Sequence, residues 1–113
     1  MLLMRIFFYG TAAGNSPIKR FIDALPQEDQ ARFIEVYQEI EKCGLAAVRI
    51  VFKQIEGKIW EIKFRSIHSG YRVFYVMLES DLMVWLHAFN KKTQQTPIKE
   101  LTVARKRLRE ILR

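Results

Sequence analysis

Six polar side chains sit in or beside three short stretches of strand-like sequence. Glu61, Lys63 and Arg65 share one face of the stretch Ile59–Arg65, Arg72 opens the next stretch, and Lys91 and Lys92 follow the third. Basic residues gathered this way suit one kind of chemistry, the holding of a phosphate and the neutralising of charge that grows on its oxygens. Arginine is apt because its planar fork matches two phosphate oxygens at once. Proton transfer needs a further group. A lysine is a poor base at neutral pH unless neighbouring cations or burial disfavour its charge. Lys63 has Arg65 and Arg72 for such neighbours, with Glu61 opposing them. Glu61 itself and His87, whose imidazole titrates in the useful range, are the other candidates.

The elements that must place these residues follow from pattern and period. Residues 3–9, rich in Ile, Phe and Tyr, read as a strand. Ser16-Pro17 is a helix start, since Ser accepts from first-turn amides and Pro loses no needed hydrogen bond there. Ile18, Phe21, Ile22 and Leu25 then form one apolar stripe. A second helix is predicted over residues 26–43, with Phe33, Tyr37 and Ile40 inward, Glu28 and Asp29 favouring its first turn, and Gly44 as its cap. From Ile59 the period changes to two. Trp60, Ile62 and Phe64 point one way and Glu61, Lys63 and Arg65 the other. Strands over 71–78 and 82–89 follow, with short turns between them, so the three form an antiparallel meander. Residues 48–52 fit a short strand or an extended approach. Thr96-Pro97 opens a last helix striped by Ile98, Leu101, Ala104 and Leu108. The expected class is α+β: an N-terminal strand, a helical hairpin, an antiparallel sheet of three to four strands and a C-terminal helix.

Composition limits what such a chain does. Its 113 residues fit one domain, 1–113, with enough apolar content for a core. Cys43 is the only cysteine, which excludes an internal disulfide, and one cysteine with two histidines gives no zinc spacing. Neither a metal nor a cofactor is expected. No apolar run approaches the length that spans a bilayer. Met1–Tyr9 reads as a strand and not a signal peptide, because Arg5 interrupts it. The cytoplasm is the expected compartment. The net charge is +7, and it is uneven: residues 1–44 hold five cations and six anions, residues 45–113 fourteen and six. The second part is therefore a face for a polyanion. Trp60, Trp85, Tyr71 and Tyr75 are possible stacking platforms for bases, with core packing the better reading for the tryptophans.

In order and wording the chain resembles the RelE/ParE toxin superfamily, and its phage-derived HigB-like branch most of all. Three stretches carry the resemblance: Ser16-Pro17-Ile18-Lys19-Arg20-Phe21-Ile22 with Leu25-Pro26 behind it; Lys58 to Arg65 followed by Gly70-Tyr71-Arg72-Val73-Phe74-Tyr75; and Leu86 to Pro97, with its Phe89-Asn90-Lys91-Lys92 passage into the final helix. It covers nearly the whole chain.

The resemblance implies the toxin of a type II toxin–antitoxin pair, whose antitoxin in this branch is typically a helix-turn-helix repressor. RelE and HigB members enter the ribosome and cleave mRNA, the RNA's own 2′-hydroxyl attacking the adjacent phosphate without a metal. ParE members inhibit DNA gyrase on much the same scaffold, and a non-catalytic nucleic-acid-binding module is a third reading, so the site must decide. On the ribonuclease reading Lys63, Arg65, Arg72 and Lys91 surround the scissile phosphate, Glu61 or His87 serves proton transfer, and Lys92, Phe89, Lys53 and Lys58 contact RNA. Two departures stand out. RelE members usually carry a basic residue at the position of Glu61, and their substrate-stacking tyrosine near the C-terminus has no aromatic counterpart after Phe89.

Overall fold

The computed structural model describes residues 2–113; Met1 lies outside them. The sheet has five strands in the order β1-β5-β4-β3-β2. Its strands are β1 (Arg5–Phe8), β2 (Val51–Glu56), β3 (Ile59–Arg65), β4 (Gly70–Glu79) and β5 (Leu82–Asn90). The meander β2-β3-β4-β5 is antiparallel throughout, and β1 joins at the far edge, parallel to β5. The helices are α1 (Pro17–Asp23), α2 (Gln27–Cys43) and α3 (Ile98–Ile111). Thus the expected α+β class holds. β2 is the fourth antiparallel strand, and β1 extends the same sheet.

The helix signals act as their chemistry requires. Ser16 caps α1 by accepting from the Lys19 amide, with Pro17 at the first helical position. Gly44 ends α2 at φ 60°, a conformation that a Cβ would strain. On α2 the buried face is Asp29, Phe33, Val36 and Ile40, while Tyr37 is half-buried and Ile34 exposed.

Two cores lie on opposite faces of the sheet. The α1–α2 hairpin packs Ile18, Phe33, Val36 and Ile40 against Ile62, Phe64, Tyr71, Val73, Tyr75 and Trp85. On the other face α3 packs Leu101 and Ala104 against Ile59, Phe74, Val76, Val84 and Leu86. Both cores are needed because β3, β4 and β5 are buried on both sides over much of their length. Register breaks between Phe74, paired with His87, and Tyr75, paired with Trp85. The extra residue, Leu86, lets Leu86 and His87 both meet α3. No helix among the described residues is long and apolar enough to cross a membrane.

Candidate functional site

Cross-strand register builds the site. Val51 of β2 pairs with Lys63 of β3, and Lys63 pairs with Arg72 of β4. Arg65 pairs with Gly70, whose carbonyl accepts from the Lys91 amide at 2.8 Å. A Cβ placed on Gly70 would lie 3.5 Å from Arg65 Nη1 and 3.5 Å from Lys91 Cβ, so these two side chains flank one point. Here the sheet ends in a cleft of about 530 Å³ lined by Arg32, Arg49, Val51, Lys63, Phe64, Arg65, Lys91 and Gln94. Five of the eight are cations and none is an acid.

Arg32 and Arg49 carry no signal in their local sequence; tertiary structure brings them in. Arg32 reaches over from α2, donates from Nε to the Arg65 carbonyl at 3.0 Å, and lies over the Phe64 ring at 5.7 Å. Arg49 precedes β2 with φ 66°, a left-handed backbone that is uncommon outside glycine. It lines the same cleft as Arg65.

None of the five cleft cations forms an ion pair among the described residues, whereas Arg5, Lys19, Arg72 and Arg105 do. The five cleft side chains are half-buried or exposed, so water and salt screen their mutual repulsion, and an anionic group in the cleft would offset what remains of it.

Lys63, Arg65 and Lys91 thus come together as their sequence positions predict. The other expected site residues do not join them. Arg72 has the right register, but its side chain is 3% exposed. Nη1 donates to the Gln95 carbonyl at 3.0 Å and Nη2 to the Thr93 carbonyl at 2.7 Å, so neither end of the fork is free to hold a phosphate. Glu61 is equally buried, 3.5 Å from Arg72 Nε, and is not among the residues that line the cleft. The basic residue expected at its position is thereby replaced by half of a buried pair.

His87, Phe89 and Lys92 belong to a second cavity of about 460 Å³, shared with Phe21, Asn90 and Glu100. The bulge at Leu86 turns His87 towards α3. Arg107 only donates, so its 3.3 Å contact makes His87 Nδ1 the acceptor and leaves Nε2–H to donate to Glu100 at 2.9 Å. Burial pushes the His87 pKa down, against the pull of Glu100. The ring is held by both contacts and is not among the residues that line the cleft. Phe89 is a core residue, packed on Phe74 at 5.0 Å and stacked with His87. Lys53 is exposed on the edge strand, opposite Glu61. Lys58 sits in the β2–β3 turn, at the far end of β3 from Arg65 and about 20 Å away by strand rise. Of the stacking candidates Trp85, Tyr71 and Tyr75 are buried and Trp60 packs against the hairpin core.

A buried carboxylate braces the floor of the hairpin side. Asp29 is 0% exposed and accepts from the hydroxyls of Ser66 and Tyr71 and from the His68 amide at 3.5 Å. Burial alone would raise its pKa; the hydroxyls and the amide outweigh that and hold it below the ordinary carboxylate value. Tyr71 is pushed up to about 12, by burial first and by Asp29 second. These contacts tie α2 to the β3–β4 turn, which carries Arg65 at one end and Gly70 at the other.

Residues 20–109 match the family model described as Phage derived protein Gp49-like (DUF891). No curated protein matches the chain.

Proposed function

The chain belongs to the phage-derived Gp49-like family, a RelE/ParE-like family of toxins from toxin–antitoxin systems, and from that premise we propose that it is a HigB-like, ribosome-dependent mRNA endoribonuclease. Membership points to an antitoxin as partner, and a helix-turn-helix protein is the kind the proposal names. The observation that carries the reading is the acid-free cleft with Arg32, Arg49, Lys63, Arg65 and Lys91 around it.

On this reading the 2′-oxygen of one nucleotide attacks the adjacent phosphorus. The P–O5′ bond breaks, a cyclic phosphate and a 5′-hydroxyl result, the 2′-hydroxyl gives up its proton and the leaving oxygen gains one. Lys63, Arg65 and Lys91 neutralise the charge that builds on the phosphoryl oxygens, while Arg32 and Arg49 hold the flanking backbone and so align the attack. No carboxylate and no imidazole line the cleft. Orientation and charge neutralisation therefore carry the rate, and the proton transfers fall to lysine amines or water.

Purified protein added to a reconstituted translation system, beside a gyrase supercoiling assay, tests the proposal. The expected result is loss of translation with message ends bearing 5′-hydroxyls, and unchanged supercoiling. Inhibited supercoiling with intact messages would give the ParE-like reading instead. Binding to RNA with neither effect would leave a non-catalytic module.

A further inference from the structure

Arg72 and Glu61 are buried and charged, and neither sits in the cleft. Glu61 Oε2 and Arg72 Nε face each other at 3.5 Å and neither makes a hydrogen bond. Replacing such a pair by apolar residues of like volume is often neutral or stabilising, so stability is a weak reason for having it. The guanidinium's other contacts suggest a different role. Its two terminal nitrogens fork onto the Thr93 and Gln95 carbonyls, in the segment 91–97 that joins β5 to α3. Thr93 adds its own hydroxyl bond to the Gln95 carbonyl at 3.1 Å. That segment has no helix or strand of its own. It supplies Lys91 and Gln94 to the cleft wall.

We propose that Arg72 is a positioning residue: with Glu61 orienting its guanidinium, it fastens the segment 91–97 so that Lys91 and Gln94 stand in the basic cleft, and it does not itself touch the phosphate. The inference rests on the ribonuclease reading for its kinetic consequence but not for its structural one. Its two measurements are therefore separable. Charge-assisted bonds from a buried fork to two carbonyls are among the stronger contacts a loop can have; the Gly70 carbonyl holds the Lys91 amide at the start of the segment, and the fork holds the chain that follows it, on either side of Gln94.

Amide hydrogen exchange across residues 91–97 reads the fastening directly, whatever the protein does to RNA. Arg72→Ala is expected to speed exchange there about tenfold or more, over and above the general loosening that the unpaired, buried Glu61 brings to β3 and α2. Arg72→Lys, which keeps the charge beside Glu61 but loses the fork, carries the same test should the alanine variant fail to fold. Unchanged exchange in the segment overturns the proposal. The second measurement is a double-mutant cycle on message cleavage. The Lys91→Ala/Gln94→Ala variant and the Arg72 variant are each expected to lose about 100-fold, and the combined variant to be no worse than Lys91→Ala/Gln94→Ala, because Arg72 acts only through that segment. Losses that multiply would make Arg72 a substrate contact and overturn it. If the wild type cleaves nothing, the ribonuclease reading fails, while the exchange result still decides whether Arg72 holds the segment.

Discussion

Asp29 shows how much a single side chain contributes here and how little its sequence context says of it. Two residues into α2, it fits the preference of a helix start for negative charge, and its burial cannot be read from that position. Only the fold brings Ser66, His68 and Tyr71 to it. Asp29→Asn is expected to destabilise the protein by on the order of 2 kcal/mol, since it weakens three bonds to a charged acceptor; denaturant unfolding at pH 7 measures this. The pH dependence has a definite sign. Because the folded-state pKa lies below the unfolded one, near 3.9, Asp29 stabilises fully above that value. The contribution is lost as pH falls through the folded value. The wild type should therefore lose stability more steeply than Asp29→Asn below about pH 4, and parallel curves would contradict the assignment. The cleft residues behave differently. Arg65 is exposed and free of ion pairs, so Arg65→Ala should leave stability within about 0.5 kcal/mol of the wild type.

At the scale of elements, most of the fold was legible because its signals are local. Alternation marks β3, short apolar runs between turn residues mark β4 and β5, and the Ser16-Pro17 pair marks the start of α1. β2 was hard to delimit because an edge strand has one unpaired side and need not alternate: Val51, Lys53 and Gln54 are all exposed. The same locality limits the site. Lys63, Arg65 and Lys91 were foreseeable from strand ends and turns. Arg32 lies on a helix assigned to the other face, and Arg49 depends on a backbone conformation that no neighbour announces. His87 misleads because a bulge redirects it towards α3, and bulges leave little trace in an alternating pattern. Arg72 misleads in another way, since register gives its face but not the turn of its guanidinium. The α3 layer yields its own prediction. Leu101 is buried against the sheet, and Leu101→Ala should destabilise by about 2–5 kcal/mol, measured as a lower denaturation midpoint with an unchanged m-value.

For the molecule as a whole, the net charge of +7 matters less than its distribution. A second group of five cations, Arg105, Lys106, Arg107, Arg109 and Arg113, lies along the end of the chain in company with Glu56 and Glu110, whereas the cleft collects five with no acid among its lining residues. Binding of a short single-stranded RNA should accordingly weaken steeply with salt. The log–log slope should fall by about 0.7 for each cleft cation removed, so Arg49→Ala measured by fluorescence anisotropy should flatten it by that amount, and Lys58→Ala should not. On the proposed function a messenger phosphate is held and cut in that cleft. Mapping message ends by primer extension in cells expressing the wild type or Arg65→Ala tests this most directly. Growth arrest with breaks inside translated codons is predicted for the wild type, and about 100-fold fewer breaks for the folded variant. Arrest with intact messages, or equal cleavage by both proteins, would contradict it.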